Sequence, residues 1–252
     1  MARFDGKVAL ITGGGRGIGL ATALALGREG AKVVVGNRDA RQGEAAVRQI
    51  KGAGGEATFR KTDVLQEADI KALVDHAVQT YGRLDVAFNN AGVDGSMAPL
   101  AEQTEENYRL VMDVNVRGVW LSMKYEIPAM LKSGGGSIVN TTSVGGSIGF
   151  PNLGIYVASK HAVVGLTKTA ALELAKSGIR VNCVSPAGID TEMLNRVAGG
   201  TEEGMAGFAA AHPVGRIGQP EEIATAVLWL ASAESSFVTG HDLLVDGGMT
   251  AG

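Results

Sequence analysis

The opening thirty residues leave this chain little choice of fold. Lys7-Val-Ala-Leu-Ile-Thr12 is a short apolar run of buried-strand type. Gly13-Gly-Gly-Arg-Gly-Ile-Gly19 follows at once, and a small, apolar helical stretch continues to about Gly30. Strand, glycine-rich turn and helix in that order make a dinucleotide cradle. Without β-carbons the turn lets a pyrophosphate reach backbone, and the helix N-terminus supplies aligned N–H groups. On this reading Thr12, Gly13, Gly15, Arg16, Gly17, Ile18 and Gly19 line a cofactor site. The plain alternative is a tight turn that holds no ligand.

Ala31-Lys-Val-Val-Val-Gly36 reads as the second strand. A carboxylate at its end would grip ribose hydroxyls and select NAD. Asn37-Arg38 stands there instead, with Arg16 in the turn on the same side. Two guanidinium groups suit a 2′-phosphate, which predicts NADP(H), with NAD(H) left possible if Arg38 only stacks on adenine. A polar helix over 39–54 and a strand near Glu56–Lys61 lead to Asp63-Val64 at a strand end, where open α/β sheets collect ligands. Asp63 is placed to accept from the adenine amino group or, alternatively, to cap a helix.

Ile70, Leu73, Val74, Ala77 and Val78 follow helical spacing, which predicts an amphipathic helix over 67–81 with those five in the core and His76 in solvent. Asp85-Val-Ala-Phe88 reads as the fourth strand. It delivers Asn89-Asn90-Ala91-Gly92 to the cofactor edge, with side-chain amides that can tie strands together. One long helix is predicted over 104–131. Asn115 and Gly118 sit among its apolar positions, and a buried Asn needs partners. Such an Asn can bend the helix and hold a water that relays protons, or serve structure alone. Ser137-Ile-Val-Asn-Thr-Thr142 reads as the fifth strand and presents Ser143 at its C-terminal end.

Tyr156-Val-Ala-Ser-Lys160 begins the next helix, which runs to about Lys176, so Tyr156 and Lys160 share a face. An ammonium roughly 6 Å from a phenol, at an effective dielectric of about 20, stabilises the phenolate by about 2.8 kcal/mol, or about two pKa units. That would make Tyr156 a general acid or base, with the Ser143 hydroxyl hydrogen-bonding a substrate oxygen. A chance Tyr-x-x-x-Lys pair on an exposed helix is the competing reading, and the rest of the chain decides between them. Arg180–Ser185 reads as the sixth strand. Pro186-Ala-Gly-Ile-Asp-Thr191 follows it, with Pro186, Gly188, Ile189 and Thr191 expected beside the nicotinamide. Residues 192–215 mix glycines with Met193, Leu194, Val197, Met205 and Phe208, the pattern of a lid over an uncharged, largely apolar substrate. A helical insertion without a binding role is the alternative. A helix over Glu221–Ser232 and a strand over His241–Asp246 end the chain.

Composition closes off other classes. Net charge is −3 with no basic stripe, which argues against nucleic acid and anionic membranes. One cysteine and four scattered histidines give no metal-ligand spacing. The charged N-terminus lacks the apolar centre of a signal peptide, and the apolar run Ile223–Ala231 is too short for a bilayer. A cytoplasmic setting and one doubly wound α/β domain over 1–252 are the expectations.

Thr12-Gly13-x-x-x-Gly17-x-Gly19, Asn89-Asn90-Ala91-Gly92, Asn115, Ser143, Tyr156-x-x-x-Lys160 and Thr191, in this order and spacing, resemble the short-chain dehydrogenase/reductase family across essentially the whole chain. The resemblance implies a Rossmann arrangement with a seven-stranded parallel sheet, NAD(P) as cofactor and commonly a homotetramer. It implies that Ser143 orients a carbonyl or alcohol oxygen and Tyr156 transfers the proton. Lys160 would bind the nicotinamide ribose and Asn115 maintain a water relay. It also implies that the 104–131 and Tyr156 helices pack on a neighbouring subunit. Arg16 and Arg38 resemble the NADP-preferring subset. Ala187 departs from the usual Pro-Gly after the sixth strand, with Gly188 one place later. A ketone/secondary-alcohol oxidoreductase is the expected function. A 3-oxoacyl-carrier-protein reductase, or a sugar or steroid dehydrogenase, is the alternative within the family. A non-catalytic nucleotide-binding protein is a remote one.

Overall fold

The computed structural model describes residues 2–251. Seven parallel strands form one sheet in the order β3-β2-β1-β4-β5-β6-β7. They are β1 (Val8–Thr12), β2 (Lys32–Asn37), β3 (Glu56–Lys61), β4 (Val86–Asn89), β5 (Gly136–Thr141), β6 (Ile179–Pro186) and β7 (Asp242–Val245). Every residue of β1, and all but one of β2 and β6, is buried, the near-continuous apolar pattern of strands covered on both faces. Parallel neighbours need crossovers, which the helices supply.

α1 (Gly17–Arg28), α2 (Ala40–Gly52) and α9 (Pro220–Ala231) flank one face around Ile11, Leu26, Val33, Ile50, Phe88 and Val227. α3 (Glu67–Tyr81), α5 (Gly118–Lys132) and α6 (Gly154–Leu174) cover the other, around Leu10, Val34, Leu73, Met130, Val163 and Val181. The strand order reverses between β1 and β4. The crevice above their C-terminal ends is where such sheets bind ligands. α7 (Glu192–Val197) and α8 (Glu202–Ala210) lie between β6 and α9, in the predicted lid segment.

Three local expectations change. The long helix over 104–131 is α4 (Glu105–Met112) and α5 joined by a π-helical turn, Asp113–Arg117. The buried Asn115 inside that turn spends its amide on a neighbouring loop, and the extra residue accommodates this. Val78 is 37% exposed rather than core, because the α3 stripe that meets the sheet narrows to Ile70, Leu73, Val74 and Ala77. His76 is half-buried rather than solvated, and its Nε2 lies 3.0 Å from the Thr58 hydroxyl of β3.

Candidate active site

A cavity of about 1080 Å³ opens along the C-terminal edge of the sheet. Its floor at one end is the glycine turn. Gly13 and Gly17 have φ of +68° and +51°, backbone that side chains rarely adopt. Thr12, Gly13, Arg16, Gly17 and Ile18 line the cavity. Gly15 and Gly19 do not; they make the turn possible from behind. A Cβ on Gly19 would sit 2.2 Å from the Gly13 carbonyl oxygen, and one on Gly15 would strike the Asn37 amide at 2.8 Å. Side chains then lock the turn to β4. The Thr12 hydroxyl accepts from the backbone N of Asn90 (3.1 Å) and of Ala91 (3.2 Å), while Asn90 Nδ2 donates to the Thr12 and Gly13 carbonyls. Asn89 Nδ2 bridges to Asn140 on β5 and to Glu126 on α5, at 2.9 and 3.0 Å.

Arg38, Asp63 and Val64 line the same end. Arg38 is exposed and has no carboxylate partner among the described residues, whereas Arg16 pairs with Glu192 at the start of α7. Asp63 turns one oxygen to the Leu65 N–H at 3.1 Å, a local turn rather than a helix cap.

Ala91, Gly92, Ser143, Tyr156 and Lys160 meet at the middle of the cavity. Tyr156 and Lys160 share one face of α6, with Lys160 Nζ 5.4 Å from the centre of the phenol ring and donating to the Thr141 carbonyl at 3.1 Å. Ser143 caps a 3-10 turn over Val144–Gly146, its Oγ accepting from Gly145 N. Asn115 stands one layer behind, off the cavity wall. Its Oδ1 accepts from Val93 N (2.8 Å), and its Nδ2 donates to the Val93 carbonyl (2.9 Å) and to Ser159 Oγ (3.1 Å). A Cβ on Gly92 would lie 3.3 Å from Asn115 Oδ1 and 3.7 Å from Lys160 Nζ, so that glycine keeps the space between them open.

The electrostatics differ from the simple pair. Burial pushes the Tyr156 phenol up, with the Ser143 hydroxyl beside it opposing and the Asp94 carboxylate adding to the rise. Burial pushes Lys160 down to about 8. Desolvation acts on Tyr156 in the direction opposite to the acidification expected from Lys160.

At the far end, Pro186, Ala187, Gly188, Ile189 and Thr191 line the cavity after β6. Thr191 caps α7, its Oγ1 accepting from Leu194 N and donating to the Ile189 carbonyl. Ala187 is accommodated, but Gly188 is buried and a Cβ there would meet His212 Cε1 at 2.9 Å. Met193, Leu194, Val197, Met205 and Phe208 reach the cavity from α7 and α8. Asp94, also on the wall, pairs with Arg196 of α7 at 3.2 Å.

Comparison with known proteins matches this geometry to a lineage. A family model described as enoyl-(acyl carrier protein) reductase matches residues 13–250. The cyclohexanol dehydrogenase of Acinetobacter sp. is 47% identical over 249 residues, covering 99% of this chain and 97% of that one. This chain belongs to the short-chain dehydrogenase/reductase family. The 2,5-dichloro-2,5-cyclohexadiene-1,4-diol dehydrogenase of Sphingobium indicum is likewise 47% identical, over the full length of both. The crystal structure of levodione reductase superposes with a TM-score of 0.97 at 36% identity, covering 99% of each chain. The short-chain dehydrogenase/reductase described here is an NAD(P)(H)-using oxidoreductase of the secondary alcohol/ketone couple. Among the described residues no helix is long and apolar enough to cross a membrane, and no group of three or more His, Cys, Asp or Glu is placed to hold a metal ion.

Sequence reasoning missed Asp94, Arg196, Glu126 and His212. None stands in a motif; each matters through a partner at least 24 residues away in the chain.

Proposed function

We propose that this enzyme interconverts an uncharged, largely apolar cyclic ketone and its secondary alcohol, with NADP(H) preferred over NAD(H). The observation that carries the reading is the convergence of Ser143, Tyr156 and Lys160 on one cavity, whose outer wall is Met193, Val197, Met205 and Phe208. The similarity to a cyclohexanol dehydrogenase and a cyclohexadiene-diol dehydrogenase supports an alicyclic substrate.

The residues fit a bound dinucleotide. The left-handed glycines of the turn leave backbone open to a pyrophosphate, and Arg38, just past β2, has no carboxylate partner among the described residues. Thr12, Gly13, Arg16, Gly17, Ile18, Asp63, Val64, Asn90, Ala91 and Gly92 would hold the adenosine and diphosphate half. Pro186, Gly188, Ile189 and Thr191, with Lys160, would hold the nicotinamide half. When bound, that cofactor supplies or accepts the hydride. The protein's own work is at the substrate oxygen. Ser143 Oγ donates a hydrogen bond to it, and Tyr156 gives its proton as a ketone is reduced or takes one as an alcohol is oxidised. Lys160 stabilises the phenolate that results. Asn115, in its π turn, fixes the Val93 backbone and Ser159 behind Lys160 and so supports a water that restores the proton. α7 and α8 act as the lid over the site, and residues 1–252 work as one domain.

A carrier-protein substrate would favour a basic rim. Lys124 is instead engaged by Glu67 at 2.6 Å, and neither Lys132 nor Lys168 is on the cavity wall. The test is an NADPH-oxidation screen over cyclohexanone-type ketones, acyl-carrier-protein thioesters and sugars. Turnover of alicyclic ketones well above the others is expected. Preferred turnover of an acyl-carrier-protein thioester would replace this reading with the carrier-protein one.

We also infer a homotetramer in the cytoplasm. Support for assembly is the exposed apolar surface of Tyr108, Leu110 and Trp120 along α4 and α5 and of Leu172 on α6, and a groove that Trp120 lines with Val116, Arg117 and Leu166.

A further inference from the structure

The imidazole of His212 takes no part in the chemistry above, yet it is 3% exposed and fully engaged. Its Nε2 is the acceptor for the backbone N–H of Gly188 at 3.1 Å. Its Nδ1 lies 2.6 Å from the carbonyl oxygen of Phe208. An amide N–H requires an acceptor and a carbonyl requires a donor. One state of the ring satisfies both: neutral, with the proton on Nδ1.

The two contacts belong to different parts of the cavity wall. Gly188 is in the loop after β6, next to Ile189. Phe208 is on α8, with its side chain in the cavity. The loop is otherwise held through Gly218 N to the Gly188 carbonyl and Asp190 N to the Gly218 carbonyl, both at 2.9 Å, and by the Thr191 hydroxyl donating to the Ile189 carbonyl at 3.1 Å. The ring fills the space a side chain at position 188 would need. It also lies against Gly247 of the C-terminal tail, where an added Cβ would come within 3.6 Å of Cδ2.

We propose that His212 is a positioning residue. It sets the Gly188–Ile189 backbone at the nicotinamide end of the cofactor site by joining that loop to the substrate-facing helix α8, and it touches neither cofactor nor substrate. The inference rests on the cofactor reading of that loop. It predicts that cofactor affinity depends on an acceptor at the Nε2 position rather than on ring volume.

Two substitutions separate these. His212→Asn keeps a donor near the Nδ1 position and removes the acceptor for Gly188. His212→Gln brings an amide oxygen to the Nε2 position. In the Asn variant the NADPH dissociation constant, read by fluorescence titration, and KM for NADPH rise about tenfold, the scale of a lost hydrogen bond to a buried N–H. Its kcat at saturating cofactor changes by no more than about twofold. The Gln variant recovers most of the affinity. Unchanged NADPH binding in the Asn variant, or equal loss in both, overturns the proposal. Should the Asn variant not fold, nitrogen-15 spectra of the parent decide: a protonated Nδ1 with an Nε2 resonance that moves on NADPH titration is expected. A protonated Nε2, or a resonance indifferent to NADPH, overturns it. A parent chain that binds neither NADPH nor NADH sinks the cofactor reading and this proposal together. A parent that binds, with an indifferent Asn variant, sinks this proposal alone.

Discussion

Tyr156 is the residue on which the proposed proton transfer turns. Its hydroxyl is pushed up by burial, and Lys160 is pushed down to about 8. On the proposed mechanism the phenol keeps its proton for ketone reduction and gives it up less readily for alcohol oxidation. The oxidation rate should climb as pH rises above neutral and the reduction rate should fall, in initial-rate profiles run in both directions. Tyr156→Phe should keep NADPH binding by fluorescence titration and lose roughly 10²-fold to 10⁴-fold in kcat. A variant with a substantial fraction of parental turnover would remove Tyr156 from the proton path. Arg38 bears on the cofactor instead. It is exposed, unpaired among the described residues and at the end of β2. Arg38→Asp should move the kcat/KM preference from NADPH toward NADH by about tenfold or more, as a charge pair to phosphate becomes a repulsion. No change in the ratio would leave the cofactor choice to other groups.

Glu126 shows what an element contributes. α5 carries this carboxyl, 0% exposed, against the end of β4, where Oε2 accepts from Asn89 at 3.0 Å. Its Oε1 and the Asn89 Oδ1 both lack a partner among the described residues, the arrangement a protonated acid would complete. Desolvation raises its pKa to about 7. A carboxyl raised on folding contributes stability that is fully present below its unfolded value of about 4.5 and is lost as pH climbs through about 7. That loss is up to about 3 kcal/mol. Glu126→Gln, neutral at every pH and able to donate to Asn89, should flatten the decline in urea-melt stability between about pH 4.5 and about pH 7. An identical slope in both proteins would show that Glu126 is not the titrating group. The π turn is a second case at this scale. Asn115 spends its amide on the Val93 backbone and Ser159, and the helix gives up regular pairing to let it.

At the scale of the whole molecule, the sheet puts the ends of β1, β2, β4, β5 and β6 along one edge, and the cavity is the space above them. The opposite surface of α4, α5 and α6 leaves Trp120 at 47% exposure and Leu172 at 83%, costly to leave in water. Sedimentation velocity should therefore give a tetramer for the parent, and Trp120→Glu should shift it to smaller species without loss of helical circular dichroism. A parent that sediments as a monomer would refute the assembly.

The elements were legible because their causes are local. Apolar runs such as Val8–Thr12 and Val33–Val35 make strands, the glycine turn can hardly be anything else, and α3 came out at its predicted length from apolar spacing alone. The meeting of Tyr156 and Lys160 was legible for the same reason, since the two lie one helical turn apart. Three things only the tertiary structure decided. The π turn at Asn115 depends on a loop 22 residues earlier. The inversion of the expected Tyr156 shift depends on burial, which spacing does not encode. The roles of His212 and Glu126 arise because the fold brings a ring nitrogen to Gly188 and a carboxyl to Asn89. Local sequence sets backbone preference and periodicity. Desolvation and long-range hydrogen bonds come into being only when distant segments close around the same point.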